Sequence, residues 1–283
     1  MNESVETIIS GAEIPSIPDV LQKILILADD PDSSTRDLEE LVLREPGLVT
    51  HLLKTVNSAF YSSRENITSV NRAIVMLGFL AVKSIASGLA LIDAFNNIPG
   101  LNKKYVMTVW QHSLTCAGLI KVISGDEPRP KQDDLFLSAM VQEVGHLILA
   151  QNFQESYAEL TDKEPFPPVE EERDHFDTDH AEIGALLLKK WKFPARITEL
   201  VKYHHQPESY SGETTDIISL EVCCNISEKE EGITEFLKRE KNCVDRSLLH
   251  KLSEVGWNWD KIKENSDMLI QSVDLARQII PGR

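Results

Sequence analysis

Apolar residues along this chain recur at intervals of three and four, and no stretch sustains the alternation of a strand. Between Pro18 and Pro31, the residues Val20, Leu21, Ile24, Leu25 and Leu27 define one side of a helix. Ser34 and Asp37 form a capping box for the next helix, which turns Leu38, Leu41 and Val42 inward. Pro46 suits a first helical position, and Val49, Leu52, Leu53 and Val56 follow as an i, i+3, i+4, i+7 stripe. Ser69 caps a helix through Ile74 and Leu77 that stops at Gly78. The run from Phe79 to Phe95 mixes large apolar residues with Ala81, Ser84, Ala86, Ser87 and Gly88. Small side chains let helix backbones approach closely, so this run reads as a central packing helix. Pro99-Gly100 breaks the chain and marks a subdomain boundary.

The second half repeats the pattern with longer helices. One spans roughly 103–124 and ends at Gly125, before a turn with Pro128 and Pro130. DDLFLSAMVQEVGHLILA reads as one helix with Leu137, Met140, Val141, Val144, Leu147 and Ile148 on a single face. EPFPPVEEER, with three prolines inside four residues, reads as a loop. Asp177 or Asp179 caps a helix to Trp191, and Pro194 starts another that carries Ile197, Leu200 and Val201. About three amphipathic helices follow Tyr210, broken near Glu231-Gly232 and Gly256. The expectation is an all-α protein with an N-terminal helical subdomain (1–98), a second bundle (99–210) and a C-terminal helical extension (211–283).

Composition narrows the function classes. With 29 Lys and Arg against 45 Asp and Glu, the net charge is −16, which disfavours nucleic-acid and anionic-membrane partners. Helices spanning 34–58 resemble a helix-turn-helix only in outline. Glu39, Glu40 and Glu45 surround the would-be recognition helix, which offers Lys54 alone, so two packed core helices are the better reading. Cys116, Cys223, Cys224 and Cys243 lack CxxC spacing and read as reduced, mostly buried thiols. No apolar run approaches ~18 residues and no leader is visible at Met1, so a cytoplasmic protein is expected.

Four of the eight histidines share a peculiarity. His112 is followed at helical spacing by Cys116, Leu119 and Ile120, and His180 by Ile183, Gly184, Leu187 and Leu188. His204 continues the stripe of Ile197, Leu200 and Val201, with His205 beside it. Each begins or ends an inward face, where an imidazole needs a hydrogen bond or a metal. A core histidine bonded to a carbonyl explains any one of them; several aimed at one core is how bundle metal sites are built. His51 and His250 read as surface or helix-end residues, and His175 as part of a charged loop.

The order W-x-H-S (Trp110, His112, Ser113), D-H-A-E-I-G (Asp179 to Gly184), W-x-x-P (Trp191, Pro194) and HH (His204, His205) resembles the HD superfamily. The segments IPSIPDVLQKILILADDPDSS, LREPGLVTHLLKTVNSAFYS and SVNRAIVMLGFLAVKSIASGLAL resemble the region that defines HDOD domains, and the likeness covers about 14–207. That resemblance implies a bacterial regulatory or output module in signal transduction. In working HD proteins, His and Asp side chains bind divalent metals and hydrolyse phosphate esters.

This chain departs from that pattern at its centre. The HD dipeptide would fall at Gln142-Glu143, where an amide replaces an imidazole and the carboxylate sits one methylene further out. His146, one turn on, is placed to bond Gln142. The family's downstream acidic ligand has Asn225 as its nearest counterpart, again neutral. The surviving candidates are His112, Glu143, His180, His204 and His205, a set suited to a single zinc, manganese or iron ion. The alternative is a relict pocket whose side chains bond one another and hold no cofactor. The relict reading is preferred, because two ligands have become amides. It implies a catalytically degenerate module acting through a signalling protein partner; the competing expectation is a residual phosphohydrolase acting on a nucleotide or phosphodiester.

Overall fold

The computed structural model describes residues 16–29, 33–57, 66–96, 98, 101–124, 129–227, 236–241 and 244–271. Among these there are fourteen α-helices, further helical residues at 236–238 and 266–271, and no strand, as the periodicity predicts. The breaks expected at Pro99-Gly100 and Glu231-Gly232, and the thiol of Cys243, lie outside the described residues.

The first five helices are α1 (Asp19–Asp29), α2 (Thr35–Leu43), α3 (Pro46–Val56), α4 (Val70–Leu77) and α5 (Phe79–Asn96). Their boundaries follow local chemistry. Ser34 and Asp37 make the expected capping box, Pro46 opens α3, and the Ser69 hydroxyl accepts from the backbone N–H of Arg72. Gly78, at φ 97°, lets the chain turn from α4 into α5, a conformation that costs other residues a Cβ clash. Helix α5 packs against α1, α3 and α4 on one side and α7 on another. It is long and apolar enough to cross a membrane, yet 61% of it is buried inside the fold. Its small residues serve helix packing: Ser84, Ala86, Ser87 and Gly88 are all buried.

The second half contains α6 (Lys103–Ile123), α7 (Arg129–Val141), α8 (Val144–Thr161), α9 (Val169–Phe176), α10 (His180–Lys190) and α11 (Ala195–Tyr203). Helices α12 (Thr214–Ser227), α13 (Arg246–Glu254) and α14 (Trp259–Glu264) complete it. Helix α6 packs on α7 and α12, and α10 packs on both α8 and α11. One cluster of buried apolar residues runs from Leu21 to Leu269. The C-terminal part docks on it through Trp257, whose indole N–H donates to the carbonyl of Ile123 (2.9 Å).

Two sequence expectations change. The single helix expected through DDLFLSAMVQEVGHLILA is two, α7 and α8, parted by a turn at Gln142 and Glu143. The loop expected at EPFPPVEEER ends at Pro168, and Val169 to Phe176 form α9, with three glutamates in the first turn complementing the helix dipole. His175 is therefore helical; its Nδ1 lies 2.7 Å from the carbonyl of Glu171 one turn back. His51 lies within α3, not at its end.

Candidate functional site

The turn between α7 and α8 sets the site. Glu143 has φ −92° and ψ 7°, a sparsely populated backbone region, and its side chain caps nothing. The carboxylate is thereby free to point inward, where α6, α8, α10 and the end of α11 converge. His112 comes from α6, His146 from the first turn of α8, His180 from the first position of α10, and His204 is the C-cap of α11.

Close helix approach brings these together. A Cβ added at Gly145 would lie 2.6 Å from the carbonyl carbon of His180 and 2.8 Å from its Cα, so only glycine permits the observed contact of α8 with α10. Gly184, one turn along α10, faces Gly145 in turn. The rings of His146 and His180 consequently stack with centroids 3.8 Å apart. Asp179 fixes the start of α10: it accepts from the Glu182 N–H (2.8 Å) and pairs with Arg173 (2.6 Å).

Glu143 faces four imidazoles. Its Oε1 lies 3.2 Å from His112 Nε2 and 3.6 Å from His204 Nε2, and its Oε2 lies 3.3 Å from His146 Nε2 and 3.5 Å from His180 Nε2. A second carboxylate, Glu172 of α9, backs this arrangement. It accepts from the His180 backbone N–H (2.9 Å), from His180 Nδ1 (2.6 Å) and from the Tyr157 hydroxyl (2.6 Å). Glu172 also pairs with His146 Nδ1 (3.2 Å), which bonds the Tyr157 oxygen as well. His204 Nδ1 donates to the carbonyl of Val201 (2.6 Å). With both Nδ1 atoms committed to acceptors, the Nε2 atoms of His180 and His204 face Glu143 without a hydrogen bond.

Burial works against charge at each of these groups, and hydrogen bonds at His112 and Glu143 and neighbouring charges at His146 and Glu172 override it. Bonds to Cys224 and Glu143 raise His112 to about 10. The charge of Glu172 and bonds to Glu143 and Glu172 raise His146 to about 9. Hydrogen bonds from His112 and His146 and the adjacent His204 ring hold Glu143 well below the usual carboxylate range, and the charges of His180 and His146 do the same for Glu172. His205 moves the other way: burial and the neighbouring His204 and His180 push it well below its ordinary value.

Four of the five residues expected from sequence thus surround one point, with half-buried His205 alongside: its ring lies 4.9 Å from that of His180. Their donor atoms fall into sets. Glu143, His180, His204 and His205 can converge on one ion, whereas His112 groups with Cys116 and Cys224. Gln142 lies beside the cluster with its amide nitrogen donating to Cys224 Sγ (2.9 Å), not to His146 as expected. Asn225 bonds the carbonyl of Glu221 on its own helix (2.8 Å), and the α12 residue that faces the site is Cys224. Glu172 and Tyr157 were missed, since they join the site through their bond to each other and the bonds of Glu172 to His180. His51, His175 and His250 take no part in the cluster.

The sequence profile of the HDOD domain matches residues 14–207. An uncharacterised protein of Treponema pallidum (strain Nichols) is 24% identical over 205 residues, covering 70% of this chain and 39% of its own length; the chain therefore spans about two fifths of that relative. Among solved structures, an HDOD domain protein of unknown function from Geobacter sulfurreducens is similar, with TM-score 0.75, 21% identity and coverage of 99% and 98% of the two chains. A Shewanella amazonensis SB2B protein, provisionally named a phosphohydrolase, gives TM-score 0.77 at 18% identity, covering 98% of each chain. A Marinobacter aquaeolei VT8 protein, provisionally named a signal transduction protein, gives 0.69 at 22%, covering 98% of this chain and 64% of its own. At these identities the structures share the fold, and with the profile match over most of its length the chain belongs to the HDOD domain family within the HD superfamily.

Proposed function

We propose that this chain is a bacterial regulatory output module that acts through protein contacts and retains its HD-derived pocket as a structural pivot. The observation that carries this reading is the fate of the dipeptide. Gln142 offers no imidazole, and its amide N–H is committed to Cys224. Glu143 is enclosed by four histidines, and none of Glu143, His112, His146, His180 and His204 is more than 5% exposed. Phe166, from the turn before α9, lies against His112 and His146 with ring centroids 4.5 and 5.5 Å away. A phosphoester would have to displace protein to reach this carboxylate. On this reading the N-terminal helical half and the HD-like half present the surface to a signalling partner, and the tail after Glu208 tunes that contact.

One observation favours the alternative of a residual phosphohydrolase. The buried, unpartnered Nε2 atoms of His180 and His204 face Glu143, and with His205 they fit a single divalent ion. Such an ion would supply Lewis-acid activation of a phosphate and of water. The chain's own part would be to orient those ligands through Glu172 and Val201. Purified full chain, supplied with manganese or zinc, is expected to leave a generic aryl phosphodiester intact and to co-purify with a signalling protein in fixed ratio. Metal-dependent turnover without a partner would reverse the assignment.

A further inference from the structure

We propose that Cys116, Cys224, His112 and Glu143 form a thiolate-rich site for one zinc ion, set to one side of the histidine cluster. His112 and Cys116 lie one turn apart on the inner face of α6, Cys224 comes from α12, and Glu143 comes from the α7–α8 turn. The donor atoms of His112, Cys116 and Cys224 all lie within 4.8 Å of one another. His112 Nε2 is 3.5 Å from Cys116 Sγ and 3.2 Å from Glu143 Oε1, and Glu143 Oε1 is 4.0 Å from Cys224 Sγ.

Those edges are close to a zinc tetrahedron. Bond lengths of about 2.3 Å to sulfur and about 2.0 Å to nitrogen or oxygen give ligand–ligand edges of about 3.3 Å for N–O and about 3.5 Å for S–N or S–O. Of these three edges, Cys224–Glu143 needs the largest adjustment, about 0.5 Å, which side-chain rotation supplies. Cys116, Cys224, His112 and Glu143 are all buried, which favours neutral thiols until an ion arrives, and the Gln142 amide donates to Cys224 Sγ, as outer-shell N–H groups do to metal-bound sulfur. The same amide that spoils an HD centre therefore supports this one.

Entry of the ion displaces the two thiol protons and the proton on His112 Nε2, all of which leave to solvent; nothing is oxidised. With four protein ligands the site keeps no open position for water, so its role is to tie α6, α12 and the α7–α8 turn together. The inference holds whether or not the chain hydrolyses anything, because a closed zinc site is independent of turnover.

The test uses the full chain, reduced with a phosphine, stripped by a chelator and titrated with Co²⁺. One equivalent should produce the near-ultraviolet thiolate-to-cobalt charge-transfer band, and Zn²⁺ should abolish it. X-ray absorption of the zinc form should show two sulfur ligands at about 2.3 Å and two nitrogen or oxygen ligands at about 2.0 Å. Cys116→Ser and Cys224→Ser should each cut the band to about half per bound cobalt, as one of two Co–S bonds is lost, whereas His205→Ala should keep it whole. Cobalt bound without the band, or a zinc spectrum with only nitrogen and oxygen ligands, would assign the ion to Glu143, His180, His204 and His205 and overturn the proposal. So would failure to bind either metal. The wild-type spectra decide the matter even where a serine variant does not fold.

Discussion

Replacing Gly145 by alanine tests whether backbone contact between α8 and α10 builds the site. The added Cβ would meet the carbonyl carbon of His180 at 2.6 Å and its Cα at 2.8 Å, with the carbonyl oxygen closer still. Ordinary carbon contacts begin at about 3.5 Å, so the carbonyl carbon alone requires the two helices to part by at least about 0.9 Å, and the oxygen requires more. No rotamer change relieves this, because the obstruction is backbone. Overpacking in a core costs about 1–3 kcal/mol, and a backbone clash belongs at the upper end. At about 2–4 °C per kcal/mol for a chain of this size, the melting temperature should fall by roughly 6–12 °C. Gly88→Ala is the matched control. There the new Cβ meets the Sδ of Met140 at 2.6 Å and the adjoining Cε, the far end of a flexible side chain. Met140 can move, and alanine returns about 1 kcal/mol of helix propensity, so this variant should melt within about 3 °C of the parent. Differential scanning calorimetry of the three proteins side by side measures both. If Gly145→Ala melts no lower than Gly88→Ala, the close approach is not what holds His146 against His180.

Three further outcomes follow from the same geometry. Glu172→Ala strands the His180 N–H groups and the Tyr157 hydroxyl in a buried site, and urea denaturation should show a loss of about 3–5 kcal/mol, with Glu172→Gln losing less because it keeps an acceptor. In the metal-stripped protein, His112 and His146 are raised to about 10 and about 9, against about 6.5 unfolded. Their contribution is complete below pH ~6.5 and is lost as pH rises through 9 to 10, so the urea midpoint in chelator should fall between those limits; a flat profile would contradict it. Trp257→Phe removes the donor to the Ile123 carbonyl and should cost about 1–3 kcal/mol in the same assay, whereas no loss would mean that the indole bond does not help dock the C-terminal part.

Much of the fold was legible because its helix boundaries are local events. Ser34 with Asp37, Pro46, Ser69 and Asp179 each act on residues within one turn, so the chain alone locates them. The inward histidines were legible for a similar reason, since each shares a stripe with apolar neighbours. What stayed hidden depends on contacts between distant segments. The α7–α8 break carries no glycine or proline at Gln142 or Glu143, and its apolar spacing is compatible with one continuous helix. Glu172 sits in a run of acidic residues after prolines, where composition argues for solvent; only the position of α10 draws it inside. Asn225 was matched by register, but its neighbour Cys224 faces the pocket.

On the proposed reading, the pair Gln142 and Cys224 is how a hydrolytic centre would be dismantled without loosening its fold. An imidazole in a dipeptide of this kind and an acidic group on a neighbouring helix would address a common ion. An amide and a thiol address each other instead, and their bond of 2.9 Å still joins the α7–α8 turn to α12. Glu143 keeps its four imidazole neighbours, and His180 keeps Glu172 behind it, so the interior stays fully packed around a carboxylate. Unpaired buried charge is what would make such a pocket costly, and every charge here has a partner. On that reading, loss of one ligand would remove the chemistry first, while the geometry that could still hold an ion persists because packing and hydrogen bonding maintain it.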